Sequence, residues 1–137
     1  MKLFLDACAI IYWVEMTDPH YDRFVEKLSG IRKKYGALSF AASYLSLLEC
    51  RVKPLKDKNT ALLKHYQKFF CSSDLNLIPL SLDVIEKAAE LRAFHHLRTP
   101  DALQAACALS ISEEVIFITG DSTFKKVPAL KCLFISE

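Results

Sequence analysis

Two short apolar runs that each end at an aspartate constrain this chain more than any other feature. Leu3-Phe4-Leu5 stops at Asp6, and Val115-Ile116-Phe117-Ile118-Thr119 stops at Gly120-Asp121. Runs of this length without polar alternation describe strands covered on both faces, a property of parallel sheets. The sequence between them must supply the covering layers, and it is rich in helical patterns.

Ala7–Glu15 is apolar with helical character. Thr17-Asp18-Pro19 predicts a helix start, with Asp18 as cap and Pro19 at the first helical position, running to about Lys34 with Phe24, Leu28 and Ile31 as its apolar stripe. Ala37–Phe40 is a strand candidate, Ala41–Val52 reads as a helix stopped by Pro54, and Asn59–Phe70 as a more polar helix. Leu75–Leu80 is the next strand. Ser81 opens a helix carrying Val84, Ile85, Ala88, Ala89 and Leu91, and Thr99-Pro100 caps and starts another, Ala102–Ile111, apolar nearly all round. Leu130–Ile135 is a final strand. Strands separated by helices imply an α/β fold, a three-layer α/β/α sandwich with a mostly parallel central sheet. At 137 residues, with no linker-like stretch, the chain reads as one domain spanning 1–137.

Composition limits the chemistry. Eighteen Lys and Arg against sixteen Asp and Glu leave a net charge of +2, which selects no class of partner. No apolar run is long enough for a membrane span, Gln104 and Ser110 interrupting the longest, and Asp6 cuts short any leader core, so a cytoplasmic location is expected. Five cysteines, none in a Cys-x-x-Cys pair, suit a reducing compartment. The histidines lack zinc-ligand spacing, and His95-His96 reads as an exposed helix end.

Acidic residues are the chemically informative set. Asp6 and Asp121 follow buried strands, and in open parallel sheets ligands bind at the carboxyl ends of strands. Asp101 sits in the first turn of a buried helix. Glu49 lies, at about 100° per residue, on the border of a stripe formed by Ala41, Leu45, Leu48 and Val52. Each has a structural explanation as a cap, a helix-start charge or a boundary residue. Together they imply mutual repulsion that a hard divalent cation relieves; oxygen-only ligands suit Mg²⁺ or Mn²⁺, and phosphodiester hydrolysis follows as the expected reaction.

The residues that carry this pattern, Phe4-Leu5-Asp6, Leu48-Glu49, Pro100-Asp101-Ala102-Leu103-Gln104-Ala105-Ala106 and Ile118-Thr119-Gly120-Asp121-Ser122-Thr123-Phe124, resemble those of the PIN-domain nucleases, most closely the VapC toxins of toxin–antitoxin pairs. The resemblance implies that Asp6, Glu49, Asp101 and Asp121 are catalytic and hold one or two Mg²⁺ or Mn²⁺ ions, with Thr119 supporting the fourth acid. It also implies an endoribonuclease acting on RNA, a homodimer, and silencing by a small antitoxin protein. The sequence departs from the pattern at Ala7 and Cys8, where such proteins usually carry Ser or Thr and then often Asn, and at Gly120, where Asn is common. The departure keeps a second reading open, a PIN-like module that binds RNA or protein with weak or no cleavage. A phosphoaspartyl enzyme fits less well, because Cys8 stands where a second aspartate is needed.

Between Arg51 and Lys68 six basic residues face one acid. Arg51, Lys53 and Lys56, closest to Glu49, are the candidate RNA contacts, the alternative being a solvated helix face. Tyr44, Tyr66, Phe69 and Phe70 offer stacking or core packing, and Tyr12 and Trp13 a partner surface.

Overall fold

The computed structural model describes residues 1–136. Five strands form one sheet: β1 (Lys2–Leu5), β2 (Ser39–Ser43), β3 (Leu75–Ile78), β4 (Val115–Thr119) and β5 (Cys132–Phe134). Their order is β3-β2-β1-β4-β5, and every neighbouring pair runs parallel. The expected three-layer architecture is present, with a sheet that is wholly rather than mostly parallel.

Alternation along β1 and β4 sorts the core into two. Phe4 and Phe117 stack on one face, 5.4 Å between ring centroids, beneath α5 (Leu82–His95) and α6 (Thr99–Leu109). Leu3, Leu5, Ile116 and Ile118 face the other way, toward α1 (Ala7–Glu15), α2 (His20–Tyr35) and the inner sides of α3 (Tyr44–Lys56) and α4 (Thr60–Phe70). Covered on both faces, these strands have the uninterrupted apolar sequence that marked them.

Several local expectations require correction. Asp18 does not cap α2, whose N-cap position is Pro19 with no side-chain bond. Thr99 lies inside α6, with Arg98 at the cap position and the Thr99 hydroxyl accepting from Arg92 Nη1 at 2.8 Å. Pro54 does not stop α3. The helix continues to Lys56, with Pro54 buried on its inner face, and Asp57 N–H still reaches Lys53 O at 2.9 Å. The buried stripe of α3 is Ser46, Cys50 and Pro54, while Leu48 and Val52 are 61% and 56% exposed. Leu48 and Val52 therefore belong to the outer face. Ser81 does cap α5, accepting from Val84 N–H.

Strand order reverses around β1, which is flanked by β2 and β4, strands that lie on opposite sides of it. The crevice beyond the carboxyl ends of β1 and β4 is where a parallel sheet of this kind offers a ligand site. Among the described residues no helix is long and apolar enough to cross a membrane.

Candidate active site

At that crevice a cavity of about 170 Å³ is lined by Asp6, Ala7, Cys8, Glu49, Pro100, Asp101, Gln104, Asp121 and Phe124. All four acids singled out in the sequence therefore meet in one place. They arrive from four directions: Asp6 from the end of β1, Glu49 from α3, Asp101 from the first turn of α6, and Asp121 from two residues beyond β4.

Asp6 is 4% exposed and anchored through both oxygens. As the N-cap of α1, its Oδ1 accepts from Ala9 N–H at 2.8 Å, and its Oδ2 accepts from the Thr119 hydroxyl. Burial pushes its carboxyl up to about 7, against the opposing effect of those two hydrogen bonds, with the charges of Asp121 and Glu49 pushing it further up. Electrostatically, then, Asp6 senses two of the other three acids.

Thr119 is fully buried at the end of β4 and works in two directions. While donating to Asp6 it accepts the backbone N–H of Asp121 at 3.0 Å, which turns the chain out of the strand. Asp121 in turn caps the short 3-10 turn Ser122–Lys126, its Oδ1 accepting from Thr123 N–H at 2.9 Å. Glu49 Oε1 accepts from Gln104 Nε2 at 3.1 Å. Asp101, 8% exposed, pairs through Oδ2 with Arg98 Nε at 3.1 Å. The donors that meet Asp6, Glu49 and Asp121 are neutral groups, whereas Asp101 carries a guanidinium whose side chain is 76% exposed.

The donor chemistry suits a hard divalent cation: four carboxylates in a small polar crevice, with no histidine among the lining residues. Among the described residues no three His, Cys, Asp or Glu side chains are gathered closely enough to enclose an ion by themselves. Mg²⁺ ordinarily takes only one or two carboxylates and keeps several waters, so the arrangement fits such an ion.

The basic candidates lie outside the cavity. Lys53 and Lys56 are exposed and follow Glu49 at i+4 and i+7, on the same helical face, about 6 and 10 Å along the axis. Arg51, half-buried, points away from that line. Two lining residues had no role assigned from sequence. Phe124 closes one wall, and Gln104 is 3% exposed with its amide fully engaged. A buried amide on an otherwise apolar helix was the signal for Gln104, since such a group demands partners. Arg98 was likewise overlooked.

The profile of the PIN domain family matches residues 3–130. The chain belongs to the PIN domain family.

Solved structures agree on the fold of this PIN domain. It superposes on a chain of VapBC2 from Rickettsia felis, bound to a DNA fragment from their promoter, with a TM-score of 0.74 and 23% identity over 98% of both chains. A chain of VapBC-1 from nontypeable Haemophilus influenzae gives 0.76 and 14% identity over the whole of both. For VapBC-5 of the toxin–antitoxin systems of Mycobacterium tuberculosis the values are 0.63 and 20%, over 97% of this PIN domain and 96% of that chain. The sequence matches none of the curated proteins.

Cys8 and Gly120, two of the departures noted in the sequence, are packed together. A Cβ on Gly120 would lie 3.1 Å from Cys8 Sγ and 3.1 Å from the Tyr12 ring, so this corner is built around the missing side chain. The Cys8 thiol is pushed up by burial, partly offset by its hydrogen bond with Tyr12.

Proposed function

We propose that this PIN domain is a Mg²⁺- or Mn²⁺-dependent endoribonuclease, the toxin of a toxin–antitoxin pair. The observation that carries the reading is the convergence of Asp6, Glu49, Asp101 and Asp121 on one cavity at the carboxyl edge of the sheet. Asp6, Asp101 and Asp121 would hold the ion, in part through its own waters, and Glu49 would be a further ligand or would orient the attacking water. Bound there, the cation would supply positive charge to a scissile phosphate and ease deprotonation of water. Thr119 fixes Asp6 and the turn that presents Asp121, so the acids are aimed before substrate arrives. Lys53 and Lys56, trailing outward from Glu49, would offer phosphate contacts for RNA, with Arg51 on the opposite side of α3.

Other features support the partners. An apolar cavity of about 660 Å³, larger than the acidic one, lies at the far end of α1 among Trp13, Phe40 and Phe69, with His65 and Lys68 on its lining. It suits a segment of the small antitoxin. Tyr44, Leu48, Val52 and Leu55 form an exposed apolar stripe on α3, of the kind a homodimer would cover. Free thiols at Cys8, Cys50, Cys71, Cys107 and Cys132 suit a cytoplasmic, reducing setting.

A second reading, a PIN-like module that holds RNA or protein without cutting, is favoured by Ala7 and Cys8 on the cavity wall, where a stronger hydrogen-bonding side chain would steady the ligands. Incubation with total RNA and Mg²⁺ or Mn²⁺, followed by mapping of new ends, tests the first reading. Cleavage that disappears in Asp6→Asn supports it. Absence of cleavage together with absence of Mn²⁺ binding by calorimetry leaves the module.

A further inference from the structure

Gln104 lies deep in the acidic cavity, 61 residues from Ser43 and 55 from Glu49 in sequence, yet bonded to both. Its carbonyl oxygen accepts from the Ser43 hydroxyl at 3.0 Å, and its amide nitrogen donates to Ser46 Oγ at 2.8 Å and to Glu49 Oε1 at 3.1 Å. Ser43 is the N-cap of α3 and its oxygen accepts from Ser46 N–H at 3.2 Å, so its single proton is free for Gln104. The Glu49 carboxylate, which can only accept, decides which way the amide faces, and the Ser43 proton then meets the carbonyl. With the carbonyl held toward Ser43, both N–H groups must turn toward Ser46 and Glu49.

Both serines are fully buried and Gln104 is 3% exposed, so none of these bonds exchanges freely with water. The network locks the first turns of α3 onto α6. It also fixes the spacing between Glu49 and Asp101, because Asp101 and Gln104 are three residues apart on one helical face. Two carboxylates on separate helices facing one cavity repel, and without a restraint the partly exposed Glu49 would swing toward solvent. A buried amide donor is the neutral group that can hold a carboxylate inward without competing with a cation for the site.

We propose that Gln104 is a positioning residue that holds Glu49 in the cavity before a divalent cation binds, acting through Glu49 rather than on the cation itself. The proposal rests on the metal-dependent reading above. Supporting groups of this sort typically change metal affinity by about 10–100-fold.

The test is a double-mutant cycle on the full chain, with Mn²⁺ affinity read by calorimetry for wild type, Gln104→Met, Glu49→Ala and the double variant. The expected result is about 10-fold weaker binding for Gln104→Met alone and no further loss when Glu49 is already alanine. An equal loss in both backgrounds overturns the proposal, because Gln104 would then serve only the fold. A wild type that binds no Mn²⁺ overturns the metal reading itself, and is told apart because the first failure requires binding. A second measurement does not depend on folding of the Gln104 variant. In ¹⁵N–¹H spectra the Gln104 side-chain amide is expected to shift in Glu49→Ala, and an unchanged pair of resonances overturns the contact.

Discussion

The hydroxyl of Thr119 donates to Asp6 and accepts from the backbone N–H of Asp121, so one buried oxygen atom joins two of the four acids of the site. Thr119→Val keeps the shape of the side chain and removes both bonds. The expected cost is about 1–3 kcal/mol in urea denaturation, the penalty for stranding buried polar groups. Thr119→Ser should recover most of it. Because the Thr119 bond lowers the Asp6 carboxyl, its loss should also move the Asp6 titration above its present value of about 7.

Asp6 makes the metal-free protein less stable as pH rises. Its carboxyl is raised from 3.8 to about 7, so the folded state binds the proton more tightly than the unfolded chain does. That advantage is whole below about pH 4 and disappears as pH climbs through 7. A rise of this size corresponds to at most about 4 kcal/mol. In chelator, Asp6→Asn should flatten the decline between pH 4 and 7 in urea midpoints and exceed wild type at pH 8. A variant that declines with pH as steeply as wild type would remove Asp6 as the cause.

Under the metal-dependent reading, Arg98 would compete with a cation for Asp101, which it meets at 3.1 Å. Its side chain is largely in water, so the pair contributes less than about 1 kcal/mol to folding. Arg98→Ala should leave the urea midpoint nearly unchanged while tightening Mn²⁺ binding by about 2–5-fold, the equivalent of an exposed ion pair. Calorimetry at low salt provides the check, and weaker binding would show instead that Arg98 assists the site.

Thiol reactivity should separate the five cysteines. Cys71 is exposed, whereas burial pushes Cys50 up to about 12 and Cys107 and Cys132 up to about 11 each, and raises Cys8 as well. The thiolate is the reactive form. Ellman's reagent at pH 8 is expected to titrate one thiol quickly in the folded protein and all five in guanidinium, and Cys71→Ser should abolish the fast phase.

Legibility in the sequence followed the kind of force at work. Leu3–Leu5 and Val115–Thr119 were readable because burial on both faces leaves no choice but continuous apolar residues. Asp6 and Asp121 were readable for the same reason, standing where those runs end. The phase of α3 was not. Its inner face carries Ser46, Cys50 and Pro54, small or weakly polar residues that fit under a helix held by hydrogen bonds to Gln104, while Leu48 and Val52 point outward. Hydrophobicity alone selects the wrong side when the buried contact is polar and the exposed face is greasy. Glu49 still reached the cavity, because it lies between the two stripes. Likewise Asp18 and Thr99 have the residue types of caps, yet their side chains do not cap: α2 lacks a side-chain cap, and Thr99 accepts from Arg92. Thr119 was placed beside an acid only by resemblance, and its bond to Asp6 spans 113 residues, a separation no local pattern encodes.

The parallel order of the strands has a consequence for biosynthesis. β1 is translated first but lies at the centre of the sheet, and one of its neighbours, β4, emerges more than a hundred residues later. A ribosome must therefore add 113 residues after the first aspartate before it meets the threonine that orients it. A product that ends before β4 leaves Asp6 without Thr119 and without the strand beside it.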